Sequence, residues 1–119
     1  MSFALEPTND PGTLILHIGD GLDFRNADMF RTVCQEQVQA EVRNFILDFS
    51  EARLLDSVGL GAIFSLYRNV TPTSGQVVFA AVAAPVQVMV QVTKIYRVFP
   101  QYQTIALACE ALRVSRQGA

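Results

Sequence analysis

The chain has 119 residues, half of them hydrophobic and 17% charged, with a formal net charge of −2. That suffices for one domain around one filled core, and without a Lys/Arg run it lacks the cationic patch a nucleic-acid module needs. No apolar run approaches the roughly 18 residues of a membrane span, and Met1–Glu6 has neither a basic segment nor a signal-type apolar stretch, so a cytoplasmic location is expected.

In chain order, Ser2–Glu6 reads as a short strand. Pro7-Thr8-Asn9-Asp10-Pro11-Gly12 follows as a dense turn signal. Thr13–Ile18 alternates, with Leu14 and Leu16 on one face and Ile15 and His17 on the other, which predicts an antiparallel hairpin with the first strand. Gly19–Phe24 reads as a loop holding Asp20 and Asp23. From about Asn26 to Glu41 the apolar spacing becomes helical, with Ala27, Phe30, Val33, Cys34 and Val38 in one stripe. Phe45-Ile46-Leu47 is continuous apolar sequence, suited to a central strand covered on both faces.

A second helix is expected to run to about Val70, presenting Leu60, Ile63, Phe64 and Tyr67, and to break at Thr71-Pro72-Thr73-Ser74-Gly75. Val77–Ala80 reads as a buried strand, so strand, helix and strand form a right-handed parallel crossover. Pro85–Val92 is ambiguous. Its valines alternate like a strand, yet Pro85 suits a first helical turn. Arg97-Val98-Phe99 reads as a short strand before Pro100, and the last helix starts near Thr104 with Ile105, Ala108, Cys109 and Leu112 inward. Arg113 and Arg116 near its end would complement the helix dipole, and Gln117–Ala119 reads as a frayed tail.

Cys34 and Cys109 are the two cysteines, on apolar helix faces and too few for a disulfide framework or thiolate metal site. They read as small buried hydrophobes. His17 is the single histidine; with no companion for metal binding it reads as a surface or edge-strand residue.

Chemistry concentrates at Asp56-Ser57-Val58-Gly59-Leu60-Gly61, where the central strand gives way to the second helix. Asp56 or Ser57 can cap that helix. If Asp56 caps, Ser57 is left to project at the positive end of the helix dipole. Gly59 and Gly61 in the first turns each cost about 1 kcal/mol relative to Ala. That cost asks for a reason: close packing on the sheet, or close approach by a partner's backbone. A phosphate on Ser57 would add a charge of about −1.5 to −2. The helix N-terminus tolerates such a charge, whereas a docked apolar or acidic surface does not.

The run Asn44-Phe45-Ile46-Leu47-Asp48-Phe49-Ser50, followed by Leu54-Leu55-Asp56-Ser57-Val58-Gly59-Leu60-Gly61-Ala62-Ile63, resembles the signature of STAS domains, nearest to bacterial anti-sigma factor antagonists of the sporulation and general-stress type. The resemblance is specific over about Phe45–Tyr67 and follows the order of elements along nearly the whole chain. It implies a single STAS-like α/β domain over 1–119, with a mixed sheet of four to five strands and about four helices. It also implies that Pro85–Val92 is a helix, against its alternation.

By the same resemblance Ser57 is the phosphoacceptor, and Asp23, Asp56, Ser57, Val58, Gly59, Leu60 and Gly61 contact the partner. That partner would be an anti-sigma factor with Ser kinase activity, sequestered so that a sigma factor is released. A metal-dependent Ser/Thr phosphatase would restore the active form. The chain would be ligand and substrate rather than enzyme, with no catalytic residue, metal or cofactor and no direct nucleic-acid contact; homodimerisation stays open. Two features depart from the family pattern: Asp20-Gly21-Leu22-Asp23 replaces a Gly-acid-Leu-Asp run, and Lys94 stands where many members have Gly.

The competing readings are weaker. Asp48 suggests a phosphoaspartate receiver, but neither early strand supplies the acidic pair that would hold a divalent cation. Ser57 lacks the Gly-x-Ser-x-Gly elbow and a credible base for hydrolysis. Gly59-Leu60-Gly61 lacks the third glycine of a dinucleotide loop. A rival that keeps the fold is an accessory subunit of a lipid-transporting ABC system, or of a stress-sensing complex.

Overall fold

Alternating apolar strands and amphipathic helices assemble into one α/β layer structure; the computed structural model describes residues 3–117. A five-stranded sheet has the order β1-β2-β4-β6-β7, formed by Ala4–Pro7, Thr13–His17, Asn44–Asp48, Gln76–Ala80 and Gln101–Tyr102. β1 pairs antiparallel with β2 and the other neighbours are parallel. A second, two-stranded parallel sheet joins β3 (Gly21–Leu22) to β5 (Leu54–Leu55). The helices are α1 (Ala27–Gln39), α2 (Ser57–Val70), α3 (Ala84–Thr93) and α4 (Ile105–Ala111).

The fully buried central strands divide two cores. On one face Leu14, Leu16, Phe45, Leu47, Val77 and Phe79 meet α1, α2 and α3. There Phe79 stacks on Phe99 with ring centroids 5.1 Å apart and an interplanar angle of 10°. On the other face Ile15, Ile46, Val78 and Ala80 meet Ala108 and Cys109 of α4. Both cysteines are free and buried, as expected, and burial pushes the Cys34 thiol up to about 12. Among the described residues, no helix is long and apolar enough to cross a membrane.

Several expectations are corrected. Gly19–Phe24 is not all loop, because Gly21 and Leu22 pair with Leu54 and Leu55. The inward face of α2 is rotated: Ala62, Ile63, Leu66 and Val70 are buried, whereas Leu60, Phe64 and Tyr67 pack only partly. Arg97-Val98-Phe99 is not a strand. Ile95–Arg97 is a 3-10 turn, and the last strand falls beyond Pro100 because the amide of Phe79 donates to the Pro100 carbonyl (2.8 Å) and that of Ala81 to Tyr102 (2.9 Å).

His17 is not on an edge. It sits in β2 between β1 and β4, half-buried, with a carboxylate on each side. Arg116 is drawn off the α4 terminus into a two-pronged ion pair with Glu6 at 2.6 and 2.7 Å. The tail is tied down as far as Gln117, whose amide donates to the Pro7 carbonyl at 3.3 Å; Gly118 and Ala119 lie outside the described residues, as do Met1 and Ser2.

Pro85–Val92 is helical, as the family resemblance implied. Val86 and Val90 are buried, while Val88 and Val92 on the opposite side are 64% and 75% exposed, so the alternation reflects a helix with valine on two sides. α3 ends at Lys94, which takes the left-handed conformation (φ 59°) where glycine is unstrained. Lys94→Gly is expected to stabilise the fold by about 1 kcal/mol, measurable as a raised urea midpoint with an unchanged slope.

Candidate functional site at the start of the second helix

Two loops that leave neighbouring parallel strands are locked together at the N-terminus of α2. The amide of Arg53 donates to the Asp20 carbonyl (2.7 Å), and the amide of Asp56 donates to the Leu22 carbonyl (3.3 Å). Leu22 and Leu55 are buried beneath this junction. Asp56 is the N-cap of α2, in extended conformation. Its Oδ1 accepts from the Gly59 amide at 2.8 Å, and its Oδ2 accepts from the Phe24 amide at 3.0 Å. One carboxylate therefore starts the helix and fixes the neighbouring loop.

With the cap supplied by Asp56, Ser57 occupies the first helical position and is exposed. Val58 beside it is 43% exposed. Leu60 and Gly61 are half-buried, and Leu60 packs against the core cluster. The two glycines divide the two reasons for their presence. A Cβ on Gly59 would lie 2.4 Å from the Leu22 carbonyl oxygen, so Gly59 is required by the contact of α2 with β3. A Cβ on Gly61 would meet nothing nearer than an Arg31 guanidinium nitrogen at 3.8 Å, so internal packing does not require glycine there.

Asp23 differs from its expected place on the rim. Its residue is 2% exposed, and both its oxygens are held by Arg25, with Nη2–Oδ2 at 2.7 Å and the Arg25 amide at 2.8 Å from Oδ1. The Arg25 guanidinium keeps the Asp23 carboxyl below the usual carboxylate range. What this pair presents outward is the Arg25 side chain, 70% exposed. Asn26 braces the same loop, accepting from the Asp23 amide and donating to the Gly21 carbonyl, both at 2.9 Å. Asp23 and Gly59 thus act from beneath the surface by positioning their neighbours.

Phe24 lies outside the sequence-derived set. It is 71% exposed, and its amide is anchored by Asp56. Exposed Leu54 and Met29 add apolar surface on the same loops and at the start of α1. No periodic signal marks a single aromatic in a turn; its one sequence cue is an aromatic following the Gly21-Leu22-Asp23 run. Asp56→Ala removes both the cap and the Phe24 anchor, and a loss of about 2 kcal/mol is expected. Faster amide exchange at Phe24 and Gly59, with little change in the strands, would check it.

The start of α2 thus presents an exposed serine beside exposed Val58, with the exposed Phe24 tied to the same cap. The chain belongs to the STAS domain family, whose match covers residues 4–108. It is 25% identical over 115 residues to the anti-sigma F factor antagonist of Paenibacillus polymyxa, covering 96% of this chain and 98% of that protein. Among solved structures it resembles the anti-sigma factor antagonist SpoIIAA in its unphosphorylated form, with TM-score 0.82 and 18% identity over 94% of this chain and 96% of that one. It also resembles the Bacillus cell fate determinant SpoIIAA in the phosphorylated form, with TM-score 0.73 and 18% identity over 94% and 100% of the two chains.

Proposed function

We propose that this chain is an anti-sigma factor antagonist whose docking is switched by phosphorylation of Ser57. The observation that carries the reading is the division of labour at the helix start. Asp56 supplies the cap, so the Ser57 hydroxyl is free and exposed. Exposed Val58 follows Ser57 in the helix, exposed Phe24 is tied through its amide to the same Asp56 cap, and exposed Leu54 lies two residues before that cap; these three form the collar. Gly61, unexplained from within, leaves room for a partner's backbone.

In the unphosphorylated state the collar docks on an anti-sigma factor with Ser kinase activity, and a sigma factor is released. Exposed apolar side chains supply the contact. The kinase then moves the γ-phosphoryl group of ATP to Ser57 Oγ. A P–Oγ bond forms, the bond to the β,γ-bridging oxygen breaks, ADP leaves, and the hydroxyl proton passes to a base of the kinase. The new dianion sits at a helix N-terminus that accommodates it, while the docked surface loses its fit. A metal-dependent Ser/Thr phosphatase hydrolyses the ester and restores the hydroxyl. The chain is substrate and ligand, acting in the cytoplasm.

Mass spectrometry of the protein from its own cells should find phosphate on Ser57. Affinity capture with the wild type and Ser57→Ala should retrieve an anti-sigma factor of kinase fold. Retrieval of a transporter ATPase instead, with Ser57 unmodified, would overturn the reading.

A further inference from the structure

Away from the collar, four charged side chains form a line across β1, β2, β4 and the C-terminal segment. Arg116 grips Glu6 through Nε–Oε2 at 2.6 Å and Nη2–Oε1 at 2.7 Å. Glu6 Oε1 lies 3.0 Å from His17 Nε2, and His17 Nδ1 lies 2.6 Å from Asp48 Oδ2. The second oxygen of Asp48 accepts the Ser50 amide at 2.9 Å. Ionised carboxylates only accept, so both contacts are hydrogen bonds at once only when both ring nitrogens donate, which the imidazolium alone can do. A neutral ring would turn a lone pair on one carboxylate.

We propose that His17 is a proton-operated clasp that, as the imidazolium, holds edge strand β1 and the attached C-terminal segment to the sheet, and loosens both when it loses its proton. The shorter contact keeps its hydrogen with Asp48, so deprotonation leaves Glu6 facing a lone pair. Glu6 is on β1, and β1 moves with the C-terminal segment. The Gln117 amide donates to the Pro7 carbonyl, Thr8 bridges Arg116, and the Ser115 amide donates to Asn9 Oδ1 at 2.8 Å. The charged or titratable groups around His17 are Glu6 on β1, Asp48 on β4, Glu51 beside the small polar cleft that His17 lines, and Arg116 with Cys109 of α4 beyond Glu6. Burial raises the Cys109 thiol, so it stays neutral.

The direction of titration agrees. Burial pulls the His17 pKa down, but the hydrogen bonds and charges of Asp48 and Glu6 outweigh it and leave it above its usual 6.5. Arg116 chiefly holds Glu6 at about 2, so Glu6 stays an acceptor throughout. The folded-state value is raised, so the stabilisation is complete below 6.5 and is lost as pH rises through the folded value.

Nitrogen-15 spectroscopy of the imidazole decides the charge. Both ring nitrogens should be protonated at pH 6, with a midpoint above 6.5. Amide exchange at Ser115 and Gln117, corrected for intrinsic base catalysis, should show an opening constant that rises with pH between 6.5 and that midpoint, by no more than about tenfold per pH unit. The step should vanish in His17→Gln. A midpoint at or below 6.5, one bare ring nitrogen at pH 6, or an identical step in His17→Gln would overturn the clasp. If that variant does not fold, the wild-type ring measurement decides.

Discussion

Gly59→Ala is expected to lower stability by about 1–2 kcal/mol, although alanine is the better helix former. A helix interior gains about 1 kcal/mol from that exchange. Here the added Cβ would sit 2.4 Å from the Leu22 carbonyl oxygen and 2.8 Å from its carbon, both backbone atoms that cannot turn aside. Overpacking of this kind costs typically 1–3 kcal/mol and sometimes more, so α2 must lift from β3. Chemical denaturation gives the loss directly. Gly61→Ala is the internal contrast, because its Cβ would make only an ordinary contact, 3.8 Å from an Arg31 guanidinium nitrogen. It should leave the fold unharmed while impairing docking.

Phosphorylation of Ser57 is expected to weaken partner binding by about a hundredfold, equivalent to about 2.7 kcal/mol, with little change in thermal stability. Ser57→Asp, carrying one charge instead of nearly two, should weaken it by about tenfold. Ser57→Ala should bind as the wild type does. The separation arises because Ser57 makes its contribution outward: the cap belongs to Asp56, and the first helical turn tolerates an anion. Titration calorimetry against the purified anti-sigma factor, beside melting curves of each variant, reads both quantities. Equal affinity for phosphorylated and unphosphorylated protein would remove the switch while leaving the fold intact.

Long, strongly periodic elements were legible from sequence. The buried stripe of α1 follows from helical spacing over three turns, and β4 from the uninterrupted apolar run Phe45-Ile46-Leu47. The β3–β5 sheet was not legible, because a two-residue ladder has no period to read. β7 fails for the same reason, and its register is set by carbonyls of Pro100 and Tyr102 that carry no side-chain signature. The valines on both sides of α3 defeat periodicity outright, and only resemblance to a family assigned that segment correctly. At the site, the Asp-Ser-x-Gly-x-Gly spacing located the helix start and its exposed serine. Composition could not tell that Asp23 would be turned inward by a two-pronged arginine, because an aspartate in a turn normally reads as solvated.

The double engagement of Asp56 restricts how this position can drift. At most helix starts aspartate and asparagine are interchangeable, since either offers the one oxygen a cap requires. Here two amides thirty-two and three residues away along the chain each claim an oxygen. An amide side chain has a single acceptor atom, its other end being a donor. Asparagine would serve the helix and repel the loop, or serve the loop and forsake the helix, so a substitution that is neutral elsewhere would unlatch the collar here.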